Sequence, residues 1–330
     1  MAASTSEITA ADIGTVWVDM AWLMRFAQSA AGLVFDPWRP RASVLAGRHA
    51  SRLRGRGLDF EEIRGYLRGD DVRHIDWKAS QRMGKPLVRV YTEERDRPTL
   101  FVVDQRISMF FGSQHAMKSV AAAELTALGA WMALQGDDRV GALLFNDSTI
   151  KPFRALRSES RVKEILASLA DMNQALTANS AAVPNDGQLN AALEYALRIA
   201  GHDYLVCVVS DFAGADLRTR QLLRQLGVHN DVVAAMIIDP LFQSLPENTG
   251  RIVLTGGDLQ AEFNFNASQV RRPVETWFRD QEAESTELLK GSGIPVLRLD
   301  ARMPVLDQVR RMLGERRPHP PAMHRPGDAR

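Results

Sequence analysis

The sequence predicts an α/β fold, an open and mostly parallel sheet with helices on both faces, and three observations carry that prediction. Short apolar runs at Leu100 to Val103, Arg139 to Phe145, Leu205 to Val209 and Val232 to Ile238 alternate with segments of helical periodicity. The runs are close to continuously apolar, as strands covered on both faces are. A chain of 330 residues, 45% apolar and 25% charged, can bury one large core and carry an appendage.

Taken in order, residues 1–45 form an N-terminal region. Residues 1 to 11 are small and polar and are expected to be disordered. Val16 to Phe35 places Val16, Met20, Leu23, Met24, Ala27, Ala31 and Val34 three and four apart, which predicts an amphipathic helix packed on the protein. It does not read as a membrane span, because Asp19 and Arg25 would each cost roughly 2.5–3.5 kcal/mol near a bilayer centre. A signal peptide is not expected either, since no charged region precedes an uninterrupted apolar core. Asp36 to Arg41 is a Pro-rich linker.

Residues 46–98 are charged. Arg48, His49, Arg52, Arg54 and Arg56 are followed at once by Asp59, Glu61 and Glu62, so local ion pairing is expected in place of nucleic-acid binding. The formal net charge of +1 agrees. Gly69-Asp70-Asp71 reads as a turn in which Asp70 or Asp71 caps a short helical turn holding Arg73, Asp76 and Trp77. The segment is expected to be an ordered polar platform, with Trp77 anchoring the turn on the domain behind it.

Residues 99–315 carry the α/β pattern. After strand Pro98 to Asp104 comes a helix, Met117 to Leu134, then strand Arg139 to Phe145. The tight turn Asn146-Asp147-Ser148 returns Thr149 to Phe153 as an antiparallel edge strand. Helices are expected at Ser160 to Met172 and Gln188 to Ala200, and strands at Leu205 to Val209 and Val232 to Ile238. A hairpin is inserted near 250–266, from Arg251 to Thr255 and Ala261 to Phe265. Helix Ser268 to Lys290, strand Pro295 to Leu299 and a closing helix from Pro304 to Leu313 complete it. The tail, 316–330, is Pro-rich and expected to be disordered. The single cysteine, Cys207, lies in an apolar strand, which excludes an intrachain disulfide and makes the cytoplasm the default setting.

The densest pattern runs through Gly55, Gly57, Phe60, Arg64, Tyr66, Gly69, Asp70, Asp71, Arg73, Ile75, Asp76, Trp77, Lys78, Arg82, Gly84, Val88, Arg89, Glu93 and Glu94. It resembles the signature of the bacterial family called domain of unknown function fifty-eight. That resemblance implies a neighbourhood, a MoxR-type AAA+ ATPase, and supplies no reaction. Many such relatives carry membrane spans before the signature, and none is expected here.

The order of elements from Pro98 onward looks like a von Willebrand factor A domain, whose ligand crevice lies at the carboxyl ends of the strands. In metal-binding members a D-x-S-x-S strand end, a Thr and a further Asp hold Mg²⁺. The matching residues here are Asp104, Ser108 and Asp211, with Arg106 in place of the first Ser and Gly187 in place of the Thr. The resemblance therefore implies a degenerate metal site, and no cofactor is expected. Two orientations are open for Arg106: bridging Asp104 and Asp211 as a substitute for the metal, or pointing to solvent. Met109-Phe110-Phe111 at the same crest is either a partner-binding patch or tucked under the neighbouring helix.

No catalytic residue is expected, because Ser108, Ser113 and His115 lack a Gly-x-Ser-x-Gly elbow. The expected function is a non-enzymatic adaptor acting with a MoxR-type AAA+ ATPase on client proteins, through Asp70, Asp71, Arg73, Asp76, Trp77 and Arg106. The alternative is a metal-dependent hydrolase or phosphoesterase using Asp104 and Asp211.

Overall fold

The computed structural model describes residues 11–33, 58–67, 72–93, 97–177, 183–243, 251–256, 259–264 and 268–313. The linker at 36–41, the basic cluster at Arg48 to Arg56, the caps Asp70 and Asp71, and the tail at 316–330 lie outside them. The chain divides into two units, residues 42–96 and the remainder.

In the larger unit the N-terminal region forms two short helices, α1 (Met20–Met24) and α2 (Phe26–Ser29), in place of one long helix. Asp19 starts α1 by accepting the Trp22 amide at 2.6 Å, and the break falls at Arg25. Of the predicted apolar stripe only Leu23 is buried, with Met20, Met24 and Ala27 half-buried against the same core and Ala31 exposed. The break shifts burial to Val18, Phe26 and Ala30, which lie outside that stripe.

The smaller unit is a hairpin the charge pattern concealed. Strands β1 (Leu58–Gly65) and β2 (Leu87–Glu93) pair antiparallel around helix α3 (Trp77–Met83). Asp76 is the cap of α3, accepting the Ala79 amide at 3.0 Å, and Gly84 ends the helix with φ 66°, a conformation that favours glycine. Ser80 fastens helix to strand, its hydroxyl donating to the Asp76 carbonyl at 2.7 Å and accepting from the Leu87 amide at 2.8 Å.

The main sheet contains β3 (Pro98–Asp104), β4 (Arg139–Phe145), β5 (Ile150–Leu156), β6 (Leu205–Ser210), β7 (Asp231–Ile238) and β10 (Val296–Asp300), in the order β10-β7-β6-β3-β4-β5. All neighbours are parallel except β4 and β5. The β4–β5 register slips between Val140 and Ala142. Gly141 sits at the slip, where a Cβ would lie 2.8 Å from the Phe153 carbonyl oxygen. Five helices connect or flank these strands: α4 (Lys118–Gln135), α5 (Glu159–Gln174), α6 (Gly187–Ile199), α7 (Leu217–His229) and α9 (Val305–Met312). A hairpin of β8 (Arg251–Gly256) and β9 (Leu259–Asn264) precedes the long helix α8 (Ser268–Ser292).

Alternate side chains of β3 point to opposite faces. Phe101 and Val103 join α1, α2, α4, α5 and α9 in one core, while Leu100 and Val102 join α6, α7 and Leu289 of α8 in the other. Helix α4 is buried from Ser119 to Ala133 because α1 and α2 cover its outer side, which explains its all-round Ala and Leu composition. Within it Glu124 is 4% exposed and accepts the Trp22 indole N–H at 2.8 Å.

Candidate functional site

The chain leaves β3 for β4 on one side and returns to β6 on the other, so the strand order reverses between β3 and β6. Open α/β sheets bind ligands outside the carboxyl ends of their strands at such a point. There Asp104 ends β3 and Ser210 ends β6, with Asp211 next in the chain.

Of the two orientations open to Arg106, the structure takes the inward one. Its side chain is 2% exposed and clasps Asp104 in a fork, Nε at 3.0 Å from Oδ1 and Nη2 at 2.7 Å from Oδ2. Nη2 also donates to the Ala213 carbonyl at 3.1 Å and stands 3.8 Å from Asp211 Oδ1. Lys118, the first residue of α4, donates from Nζ to Asp211 Oδ2 at 2.6 Å. Ser210 donates its hydroxyl to Asp104 Oδ2 at 2.6 Å. Two carboxylates and two cations thus alternate across the switch point.

Electrostatics follow from burial and partners. Burial pushes the Asp104 carboxyl above its usual range, against the pull of Arg106. Burial alone would also raise Asp211, but Lys118 and Arg106 together hold it below that range. Arg106 is held above its ordinary value: burial opposes this and the Asp104 carboxylate outweighs it.

The backbone here is strained. Phe212, fully buried, has φ 56°, in the left-handed region that bulky residues avoid. Its amide is tied to the Ser210 hydroxyl at 2.9 Å, and the next amide, Ala213, to Asp211 Oδ1 at 2.9 Å. This holds the Ala213 carbonyl where Arg106 needs it. Asp147 ties two neighbouring loops to the same end, accepting the Ile107 amide at 2.7 Å and the Asn185 amide at 2.9 Å. A hollow of about 430 Å³ lies beside it, lined by Asp147, Ser148, Val183, Pro184 and Asn185.

The expected metal ligands do not fit a divalent ion. Asp104 and Asp211 face Arg106 and Lys118 at hydrogen-bond distance, so cations already sit on the oxygens a metal would need. Ser108 is near in sequence, but its Oγ is buried and donates to neither carboxylate. Among the described residues no group of three His, Cys, Asp or Glu side chains could hold a metal. Ser113 donates its hydroxyl to Asp239 Oδ1 at 2.7 Å, at the end of β7.

The remaining expected contact residues, Arg73, Asp76 and Trp77, belong to the smaller unit. Asp76 is 9% exposed and occupied as a helix cap. Trp77 is 71% exposed. Asp76→Ala is expected to cost about 1 kcal/mol, read as faster amide exchange in α3 with the exchange of α4 unchanged. The sequence reading missed Lys118, Ser210 and Phe212. A lysine opening the helix after a D-x-R strand end was the available signal.

The profile of a family described as "Protein of unknown function DUF58" matches residues 62–284. The chain belongs to the DUF58 family. Similar proteins include the uncharacterised proteins Mb1516 of Mycobacterium bovis and Rv1480 of Mycobacterium tuberculosis. Each is 28% identical over 276 residues, which are 83% of this chain and 84% of the relative. Among solved structures, the conserved hypothetical protein BatB from Bacteroides thetaiotaomicron superposes with a TM-score of 0.40 at 12% identity, over 66% of this chain and 98% of that one. Among the described residues of this DUF58 chain, no helix is long and apolar enough to cross a membrane.

Proposed function

We propose that the larger unit is a von Willebrand A-like interaction module whose crest is locked by Arg106 in place of a metal. It serves as an adaptor for a MoxR-type AAA+ ATPase acting on client proteins. The observation that carries this reading is the Asp104–Arg106–Asp211–Lys118 network at the strand switch point. A site whose carboxylates are already neutralised by fixed side-chain cations is poor at holding a metal or activating a water, and it is well suited to presenting a rigid surface. Two exposed apolar side chains flank that end: Val183 beside the hollow, 80% exposed, and Leu217 at the start of α7, 64% exposed. The ATPase partner comes from the family resemblance.

Purified protein and a MoxR-type ATPase from the same organism, mixed with ATP or with ADP and run on a sizing column, test the reading. A complex in one nucleotide state, lost in Val183→Glu and Leu217→Glu, is expected. No complex in either state, or one indifferent to both substitutions, overturns it. Both positions are exposed, so neither substitution should disturb folding.

A further inference from the structure

The N-terminal segment touches the crest from behind at three places. The Thr15 carbonyl accepts the Met117 amide at 2.8 Å, one residue before Lys118. The Trp17 ring lies 6.2 Å from that of Phe110, in the loop after Arg106. Val18 is joined to the crest by a buried amide relay. Its backbone N–H donates to Asn173 Oδ1 at 2.9 Å, Asn173 Nδ2 donates to Gln105 Oε1 at 3.0 Å, and Gln105 Nε2 donates to the Ser119 carbonyl at 3.0 Å. Asn173 and Gln105 are fully buried, and Gln105 stands between Asp104 and Arg106 in the chain.

The segment is held by side chains on helix α5 and the residues just after it. Gln174 Nε2 donates to the Val18 carbonyl at 2.8 Å, and the Trp17 indole N–H donates to the Leu176 carbonyl at 2.9 Å. Both backbone groups of Val18 are therefore satisfied by two adjacent amide side chains. Removing the segment would leave Asn173 Oδ1 without this donor in the interior, and the cheapest repair is a turn of the Asn173 amide that releases Gln105.

We propose that residues 12–33 are a strap that positions the crest: docking of the strap and engagement of a partner at the Arg106 end are coupled through Asn173 and Gln105. A partner that favours the ordered crest tightens the strap, and anything that displaces the strap weakens the partner by the same factor. Asn173 and Gln105 are positioning residues in this scheme. The partner half rests on the function proposed above, whereas the coupling of strap to crest does not.

Amide exchange read by mass spectrometry separates the two. In Asn173→Ala, and in the milder Trp17→Phe if the first does not fold, exchange at 105–118 is expected to rise about tenfold while β6 and α7 stay within about twofold of the parent. Leu226→Ala, a core substitution on the opposite face, serves as the control and should leave 105–118 protected. A uniform rise across the chain, or a rise confined to residues 12–33, overturns the strap. Affinity for the ATPase should fall about tenfold in the strap variants. If the parent protein binds no ATPase while the exchange pattern holds, the adaptor reading fails and the strap stands.

Discussion

Arg106→Ala is expected to lower the unfolding free energy by about 3–5 kcal/mol, the range for removing one partner of a buried ion pair. The loss comes less from the attraction than from what remains. Asp104 is fully buried and would keep Ser210 and a backbone amide as donors but no counter-charge. Asp211 would retain Lys118 at 2.6 Å, so the damage should fall mainly on Asp104. Urea melts of three proteins check this: Arg106→Ala, Arg106→Lys, and the double variant Arg106→Ala with Asp104→Asn. Lysine cannot reproduce the fork onto both Asp104 oxygens together with the bond to Ala213, so it should recover only part of the loss. The double variant should be more stable than Arg106→Ala alone, since no charge is stranded. A single variant within about 1 kcal/mol of the parent would show that Arg106 is no keystone.

Glu124 should make the protein less stable as pH rises. Burial pushes its carboxyl from 4.5 up to about 7, with the Trp22 indole and Arg25 opposing only in part. The folded state then holds the Glu124 proton more tightly than the unfolded chain does. That contribution is complete below about pH 4.5 and is lost as pH climbs through 7, roughly 3 kcal/mol at most. Glu124→Gln keeps an oxygen for the indole N–H and has no charge to bury. Its stability, set against the parent's, should converge with it near pH 4.5 and exceed it at pH 8. Parallel profiles across the window would mean that Glu124 is solvated or titrates normally.

The large unit was legible because its strands announce themselves. Leu100 to Val103 and Leu205 to Val209 are unbroken apolar runs, and both became central strands. Helix α7 was not legible in the same way: LRTRQLLRQLGVH spends four positions on Arg, Thr and Gln before its first repeated leucines, and only Leu222, Leu223 and Leu226 are buried apolar residues. The small unit was misread for a related reason. Its strands carry Asp59, Glu61, Glu62, Arg64 and Arg89, and charge at that density hides a period of two. At the crest, the resemblance to a von Willebrand A strand end named Asp104 and Arg106 but left both orientations of Arg106 open, since spacing alone does not say whether a cation two residues after a strand-end aspartate folds back on it. The same D-x-R spelling recurs at the end of β10, where Arg302 clasps Asp300 with Nη2 at 2.8 Å. Phe212 was beyond reach, since it depends on a backbone angle, and Lys118, although it opens the expected helix, does not by itself name Asp211 as its partner.

The strap also has a consequence in time. Val18 meets Asn173 across 155 residues of chain, and a ribosome adding about 5–20 residues per second needs roughly 8–30 s to cover that interval. Throughout it Val18, Leu23 and Phe26 have no seat, because α4 and α5 must be made first. A nascent chain of this kind leaves the apolar side of its strap uncovered for that whole interval. It should therefore depend on trigger-type holding chaperones early in synthesis, and a copy released with α5 already in place should depend on them far less.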